Sequence, residues 1–372
     1  MKRTHAVNRG LFRRFRLPAA LTVASLLVVT AGLAACVPGP CGSSPCAPGP
    51  PSQVGIFIPL FTGVTDANDV VAEANALGVH TARASQDVTA SGVRPAFATF
   101  AAKGLKTVLT ALNHPVPDGT GHNPVAPPVT PEELATYRTQ LGAKLDAVAA
   151  PSVVQVENEE NAAEFFSGTM TQYRAELDAA IEVAHARGVT VTDGAITSNP
   201  LAMLVWKDYK DRGLDVEADN FAARAFKDPA DAWILRDLRK VPFTGLSRQN
   251  LQIAWDKATE LVPLLATSNV DFVNFHWYID DDQALKEAVD YLRRATAKPV
   301  VTTEIGQYNT TPSVVTGHLG KMVEALHLPL VIWFDFDGQP ALGLHDTATP
   351  GVPRPNGAAF KDYVTKHADT IR

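Results

Sequence analysis

Cysteine is almost missing from this chain. It has three in 372 residues, at 36, 41 and 46, and none after that. Thiol catalysis and cysteine-ligated zinc are therefore excluded from everything beyond Cys46. A Gly-x-Gly-x-x-Gly turn is also missing behind every early candidate strand, which removes the dinucleotide fingerprint. Basic surplus is missing too. The formal net charge is -6, and the first 35 residues carry six Lys or Arg and no acid, so the remainder stands at -12. A body of that sign does not suit a phosphate backbone, and no nucleic-acid partner is expected. No His-x-His follows the first candidate strand, where Ile56, Ile58 and Leu60 alternate with Phe57 and Pro59. Metal hydrolysis is not expected, and neither a metal site nor a cofactor is written in the sequence.

What is present begins with a basic segment ending near Arg16, an apolar run (LPAALTVASLLVVTAGLAA), and then Cys36. That order marks a targeting segment over 1–35. Leu33-Ala34-Ala35-Cys36 resembles a bacterial lipobox, which implies that Cys36 is lipidated and tethers the exported protein to the outer face of the cell membrane. Arg13-Arg14 points weakly to a twin-arginine route. Residues 36–52 are rich in Pro, Gly and Ser and cannot bury a core, so they read as a tether. Cys41 and Cys46 are placed to staple it in an oxidising compartment. One domain is expected from 53 to 372.

Inside that domain, β-branched runs alternate with helical patterns. Candidate strands are 54–60, 79–84, 106–112, 152–158, 189–194, 270–276, 299–304 and 329–334. Most are too apolar to be half-exposed, as parallel strands covered by helices are. Thr130-Pro131-Glu132-Glu133 is a capping box with Pro at the first helical position. Leu134, Tyr137, Leu141, Leu145 and Val148 then repeat at helical spacing. Further helices are expected near 171–187, stopping at Gly188, and near 283–295, starting after Asp282. Eight alternations predict a (β/α)₈ TIM barrel of one domain, with a doubly wound sheet as the alternative. The fifth and sixth strands are far apart. Residues 195–250 are expected as an insertion on the active face, a lid or subsite wall.

Chemistry in such a barrel collects at the C-terminal strand ends. There the sequence offers Arg83, then Asn113 and His114, then Asn158 and Glu159. Later ends give His276, Trp277 and Tyr278, then Glu304, then Trp333 with Asp335 and Asp337 beyond it. Two carboxylates on separate strands facing one cavity suit glycoside hydrolysis, one as proton donor and one as nucleophile.

Asn158-Glu159 and Thr303-Glu304-Ile305-Gly306 resemble the two sites of the retaining glycoside hydrolases of clan A, most closely family 5. The resemblance implies that Glu159 is the acid/base and Glu304 the nucleophile. It further implies substrate binding by Arg83, His114, Asn158, His276, Tyr278 and Trp333, with Trp333 as the platform under the sugar ring. Arg83 and Tyr278 would orient and ionise Glu304, and Asn158 would meet the 2-hydroxyl. The implied substrate is a β-linked glycan or glycoside. A carbohydrate-binding lipoprotein without turnover and a transglycosylase remain as alternatives.

The residues alone do not separate Glu159 from its neighbours. On strand alternation Glu157 shares a face with Glu159, and Glu160 stands beside it. The family pattern selects Glu159. Trp206, Trp233 and Trp277 are open between stacking subsites and core.

Overall fold

A computed structural model describes residues 51–59, 66–115, 126–148, 151–240, 242–307, 311–336, 343–346 and 348–372. Cys36, Cys41, Cys46, the targeting segment and Asp337 lie outside them. Eight strands are formed: β1 (Gln53–Phe57), β2 (Thr81–Asp87), β3 (Lys106–Leu112), β4 (Val153–Val156), β5 (Thr190–Thr192), β6 (Val273–Trp277), β7 (Val300–Ile305) and β8 (Leu330–Phe334). Single helices join most of them: α1 (Ala67–Leu77), α2 (Pro95–Ala102), α3 (Pro131–Ala147) and α4 (Met170–His185). Between β5 and β6 come four: α5 (Ser198–Asp211), α6 (Asp215–Ala225), α7 (Ala232–Leu238) and α8 (Gln249–Thr267). The chain ends with α9 (Asp282–Thr296), α10 (Pro312–Gly320) and α11 (Pro355–Lys366).

The sheet is parallel throughout, in the order β5-β4-β3-β2-β1-β8-β7-β6. β1 and β8 pair over five residues, Gln53 to Leu330 through Phe57 to Phe334. The remaining seam, between β5 and β6, is joined by single bridges, Thr192 to Phe272 and Ile196 to Phe275. The result is a nearly closed, TIM-like barrel. One-helix alternation breaks only at that seam, where β5 is three residues long and four helices intervene.

Local chemistry explains the elements. Thr130 accepts from the Glu133 N–H, and the Glu133 carboxylate accepts from the Thr130 N–H, so the capping box forms as read. On α9, Leu285, Val289 and Leu292 are fully buried, worth roughly 1.5–3 kcal/mol each. The N-cap of α9 is Asp281, one residue before the expected start, because its side chain accepts from the Ala284 N–H. Ser52 already belongs to the fold: its N–H donates to the Thr370 carbonyl and its carbonyl accepts from Arg372.

Strand alternation sorts the barrel interior from the helix layer. Val108, Val153, Val301, Leu330 and Ile332 pack together inside, with Phe57 and Phe272 against them. Above that apolar plug the inward positions turn polar: Arg83, Thr110, Gln155, Asn274 and Thr303 are all buried and hydrogen-bonded to one another or to backbone. This polar layer is the floor of the site.

Candidate active site

The fourth strand stops at Val156 because the backbone turns left-handed twice, at Glu157 (φ 65°) and Glu159 (φ 50°). Left-handed non-glycine residues cost energy and cluster where a site demands them. The two turns cancel the simple alternation that put Glu157 and Glu159 on one face. Glu157 is fully buried, and its Oε1 accepts from the Asn113 N–H at 2.7 Å. Glu159 enters the cavity. Its N–H is held by the Gly194 carbonyl at 2.9 Å. Gly194 is required there, since a Cβ would lie 2.8 Å from the Val156 carbonyl oxygen.

Glu304 reaches the same cavity by a register slip. Phe275 pairs with Thr302, yet His276 pairs with Glu304. Such an irregularity re-aims a side chain. It lets Thr303 serve the polar floor while Glu304 rises above it.

The two carboxylates have different surroundings. Glu304 Oε2 accepts from Arg83 Nη1 at 2.7 Å and Oε1 accepts from the Tyr278 hydroxyl at 2.5 Å. Burial alone would raise its pKa, but His276, Arg83 and the Tyr278 hydroxyl outweigh that and hold it below the usual carboxylate range. Arg83 is itself fixed on four sides: Nε donates to Thr110 Oγ1 at 2.9 Å, Nη1 also to the Thr303 carbonyl at 3.1 Å, and Nη2 to Asn158 Oδ1 at 2.5 Å. Its guanidinium lies 4.3 Å from the Phe57 ring centroid.

Glu159 instead meets His276. Nδ1 lies 2.8 Å from Glu159 Oε1 and Nε2 lies 3.1 Å from Thr303 Oγ1. Thr303 Oγ1 also accepts from Asn274 Nδ2 at 2.7 Å. Both ring nitrogens of His276 are thereby engaged, Nδ1 with Glu159 and Nε2 with Thr303. Oxygens of the two carboxylates and the His276 ring nitrogen all lie within 4.8 Å of one another. The trio is near enough to hold a cation, but both Glu304 oxygens are committed, one of them to the charge of Arg83.

A cavity of about 1040 Å³ opens over this pair, lined by Glu159, Tyr278, Glu304, Phe334, Trp233 and Arg248 among others. Much of its wall comes from the long segment between β5 and β6, including Thr197 to Pro200, Lys227, Asp228, Ala230 and Asp231.

The model of a glycosyl hydrolase catalytic core matches residues 255–327. That is about a fifth of the chain, and it takes in His276, Tyr278 and Glu304 but not Arg83, Asn158 or Glu159. No curated protein matches. Among solved structures, a GH128 (subgroup I) endo-β-1,3-glucanase from Amycolatopsis mediterranei is 14% identical, covering 84% of this chain and 99% of its own, with a TM-score of 0.45. A GH128 (subgroup II) endo-β-1,3-glucanase from Sorangium cellulosum is also 14% identical, covering 82% and 98%, at 0.49. A GH128 (subgroup VII) oligosaccharide-binding protein from Trichoderma gamsii is 12% identical, covering 88% and 99%, at 0.44. Likeness at these identities and TM-scores says nothing of activity. The placement near family 5 of clan A is corrected by these findings: the matching model is a different one, and these matching structures are GH128 proteins.

The structure brings Arg83, Asn158, Glu159, His276, Tyr278 and Glu304 into one contiguous network. Two expected members stand elsewhere. Trp333 is fully buried and packs edge-on against Phe360 of α11, on the helix side of the barrel. Leu330 and Ile332 of the same strand pack inside, and Phe334, next at that period, lines the cavity. His114 is buried behind the cavity wall, with Nε2 3.4 Å from Glu157 Oε2. Burial draws its pKa down, but Glu157 and the Pro115 carbonyl outweigh that and the net shift is upward.

Phe57, Phe334, Thr303 and Asn274 were missed as site residues. All four follow from counting inward positions at period two along their strands, a signal present in the sequence. Of the three open tryptophans, Trp206 packs against Phe243 and Trp277 against Phe275, both buried. Trp233 lines the cavity beneath Arg248, whose guanidinium lies 4.2 Å from the ring centroid.

Proposed function

We propose that this chain is a glycoside hydrolase that cleaves an O-glycosidic bond with retention, Glu304 acting as nucleophile and Glu159 as acid/base. The observation that carries the reading is the carboxylate pair itself, with oxygens within 4.8 Å and opposed environments. Retaining pairs stand about 5–5.5 Å apart, whereas an inverting pair needs roughly 6.5–9.5 Å to admit water. Arg83 and Tyr278 keep Glu304 ionised for attack on the anomeric carbon. Glu159 gives the proton on Oε2 to the leaving oxygen while His276 holds Oε1. The resulting carboxylate then takes a proton from a water whose oxygen bonds to the anomeric carbon as the bond to Glu304 breaks, which frees the sugar and the Glu304 carboxylate.

Asn158 contributes through its amide N–H₂, because its Oδ1 is occupied by Arg83. Phe334 and Trp233 offer aromatic faces to a sugar, and the segment between β5 and β6 forms the far wall of the binding cavity. Release of a carbohydrate product is the expected reaction, and transfer to a second sugar uses the same intermediate. From sequence alone, the reading adds export and anchoring through Cys36. Replacing Cys36 by Ala moves the protein from the membrane to the soluble fraction if that holds, and leaves it in place if the tether is something else.

A panel of α- and β-linked glycans that includes β-1,3-glucan identifies the substrate. Proton NMR of the first product then reads its anomeric configuration. Retention supports the pair as assigned, and inversion rejects the nucleophile.

A further inference from the structure

A second group of ligating side chains lies away from the cavity, where α1 meets the chain leaving β8. Glu73 of α1, Asp335 just past β8, and His345 have ligand atoms within 4.8 Å of one another. Glu73 and Asp335 are fully buried and His345 nearly so, at 2% exposure. Asp335 Oδ1 accepts from the Leu344 N–H and Oδ2 lies 2.6 Å from His345 Nδ1. Both oxygens of Glu73 are buried and make no hydrogen bond of normal geometry. Such a carboxylate, set against a second carboxylate and an imidazole in a closed interior, can be charged only at a high cost unless a cation is there. No Lys or Arg forms an ion pair with Glu73 among the described residues.

The geometry points to a divalent transition-metal site, of the Zn²⁺ class, formed by Glu73, Asp335 and His345. Three properties select that class. The two carboxylates neutralise a dication. An imidazole nitrogen favours Zn²⁺ over Ca²⁺, which takes six to eight oxygens. Three protein donors match a Zn²⁺ shell whose remaining position is filled by a water. Ligands about 2 Å from one ion stand about 3.3 Å apart in a tetrahedron, so only small side-chain adjustments are needed. The ligands are spread from residue 73 to residue 345, which is why no local spacing in the sequence announced them and no metal was expected. The ion would tie α1 to the segment that follows Phe334, and so would brace the cavity rim from behind. The site is separate from the Glu159–Glu304 pair, and the inference does not depend on the proposed reaction.

The test uses the full chain, stripped with chelator and titrated with Zn²⁺ by calorimetry, with thermal unfolding in parallel. One equivalent is expected to bind and to raise Tm. In Glu73→Gln the affinity falls beyond the roughly 10–100-fold that an outer-shell change costs, and the rise in Tm vanishes. Glu304→Gln keeps both, because the ion is not at the cavity pair. Co²⁺ substitution gives visible bands of a four-coordinate N/O site in the parent, a readout that does not depend on any variant folding. No uptake by the parent overturns the proposal. So does binding that survives Glu73→Gln but is lost in Glu304→Gln.

Discussion

The acids brought together from β7, from α4 and from the ends of β4 and β5 form two groups that are treated in opposite ways. Glu304 is surrounded by donors, with Arg83 and Tyr278 on its two oxygens. Behind the cavity wall, Glu157, Glu160, Glu176 and Asp193 are all fully buried. Both oxygens of Glu160 and of Glu176 lack a hydrogen bond of normal geometry. Burial, reinforced by Asp193, drives Glu160 well above the carboxylate range, and burial with Glu157 does the same to Glu176. Burial also raises Asp193 to about 7. Desolvation acts on both groups, and the donors decide the outcome. Where Arg83 and Tyr278 are supplied, a buried acid stays charged and reactive. Where they are not, as at Glu160 and Glu176, the acid is held neutral. An acid-rich stretch is therefore no guide to chemistry until its donors are located.

The contrast breaks most sharply at Glu304. Replacing Glu304 by Ala lowers kcat by on the order of 10⁴-fold or more, measured on whichever glycan the parent cleaves, because the nucleophile is gone. Normal turnover in that variant would put the reacting acid in the wrong group. Glu159→Gln is expected to cost about 10²–10⁴-fold on substrates with poor leaving groups and much less on activated aryl glycosides. An equal loss on both would deny Glu159 its proton.

The buried acids are sharpened by stability rather than rate. Asp193, Glu160 and Glu176 have raised pKa values in the folded state, so folding holds their protons more tightly than the unfolded chain does. Their contribution is full below the unfolded values near 4 and is lost as pH rises toward and beyond about 7. His114, also raised, works in the same direction. Glu304, whose pKa is lowered, loses its contribution as pH falls below the ordinary carboxylate value. Tm is thus expected to peak in mild acid and fall between pH 5 and pH 8. Each such group steepens the fall by at most about 1.4 kcal/mol per pH unit. Glu176→Gln, nearly isosteric, should flatten that slope and raise Tm at pH 8 without changing kcat. A steeper slope, or a lower Tm at pH 8, would show that Glu176 is charged in the fold.

Much of this was legible in advance, and unevenly so. The eight strands and the capping box at Thr130 follow from periodicity and end signals, which are local. Strand ends drew attention to the acids after β4 and to Glu304, but only the family resemblance chose Glu159 over Glu157 and Glu160. Trp333 was not placed correctly, although counting Leu330, Ile332 and Phe334 inward would have turned it toward α11. Glu157 escaped for a different reason. Its separation from Glu159 depends on two left-handed residues, and nothing in Val-Glu-Asn-Glu-Glu announces them. The Glu73–Asp335–His345 group was invisible because its members meet only through the closure of the barrel.

The central claim is that Glu304 bonds to the sugar. The direct measurement is mass spectrometry of the peptide carrying Glu304 after incubation with a 2-deoxy-2-fluoro glycoside of the identified substrate. The account predicts one glycosyl adduct per chain on Glu304, formed as turnover is lost and absent from the Glu304→Ala variant. An adduct on another residue, or rapid turnover with no adduct at all, would contradict it.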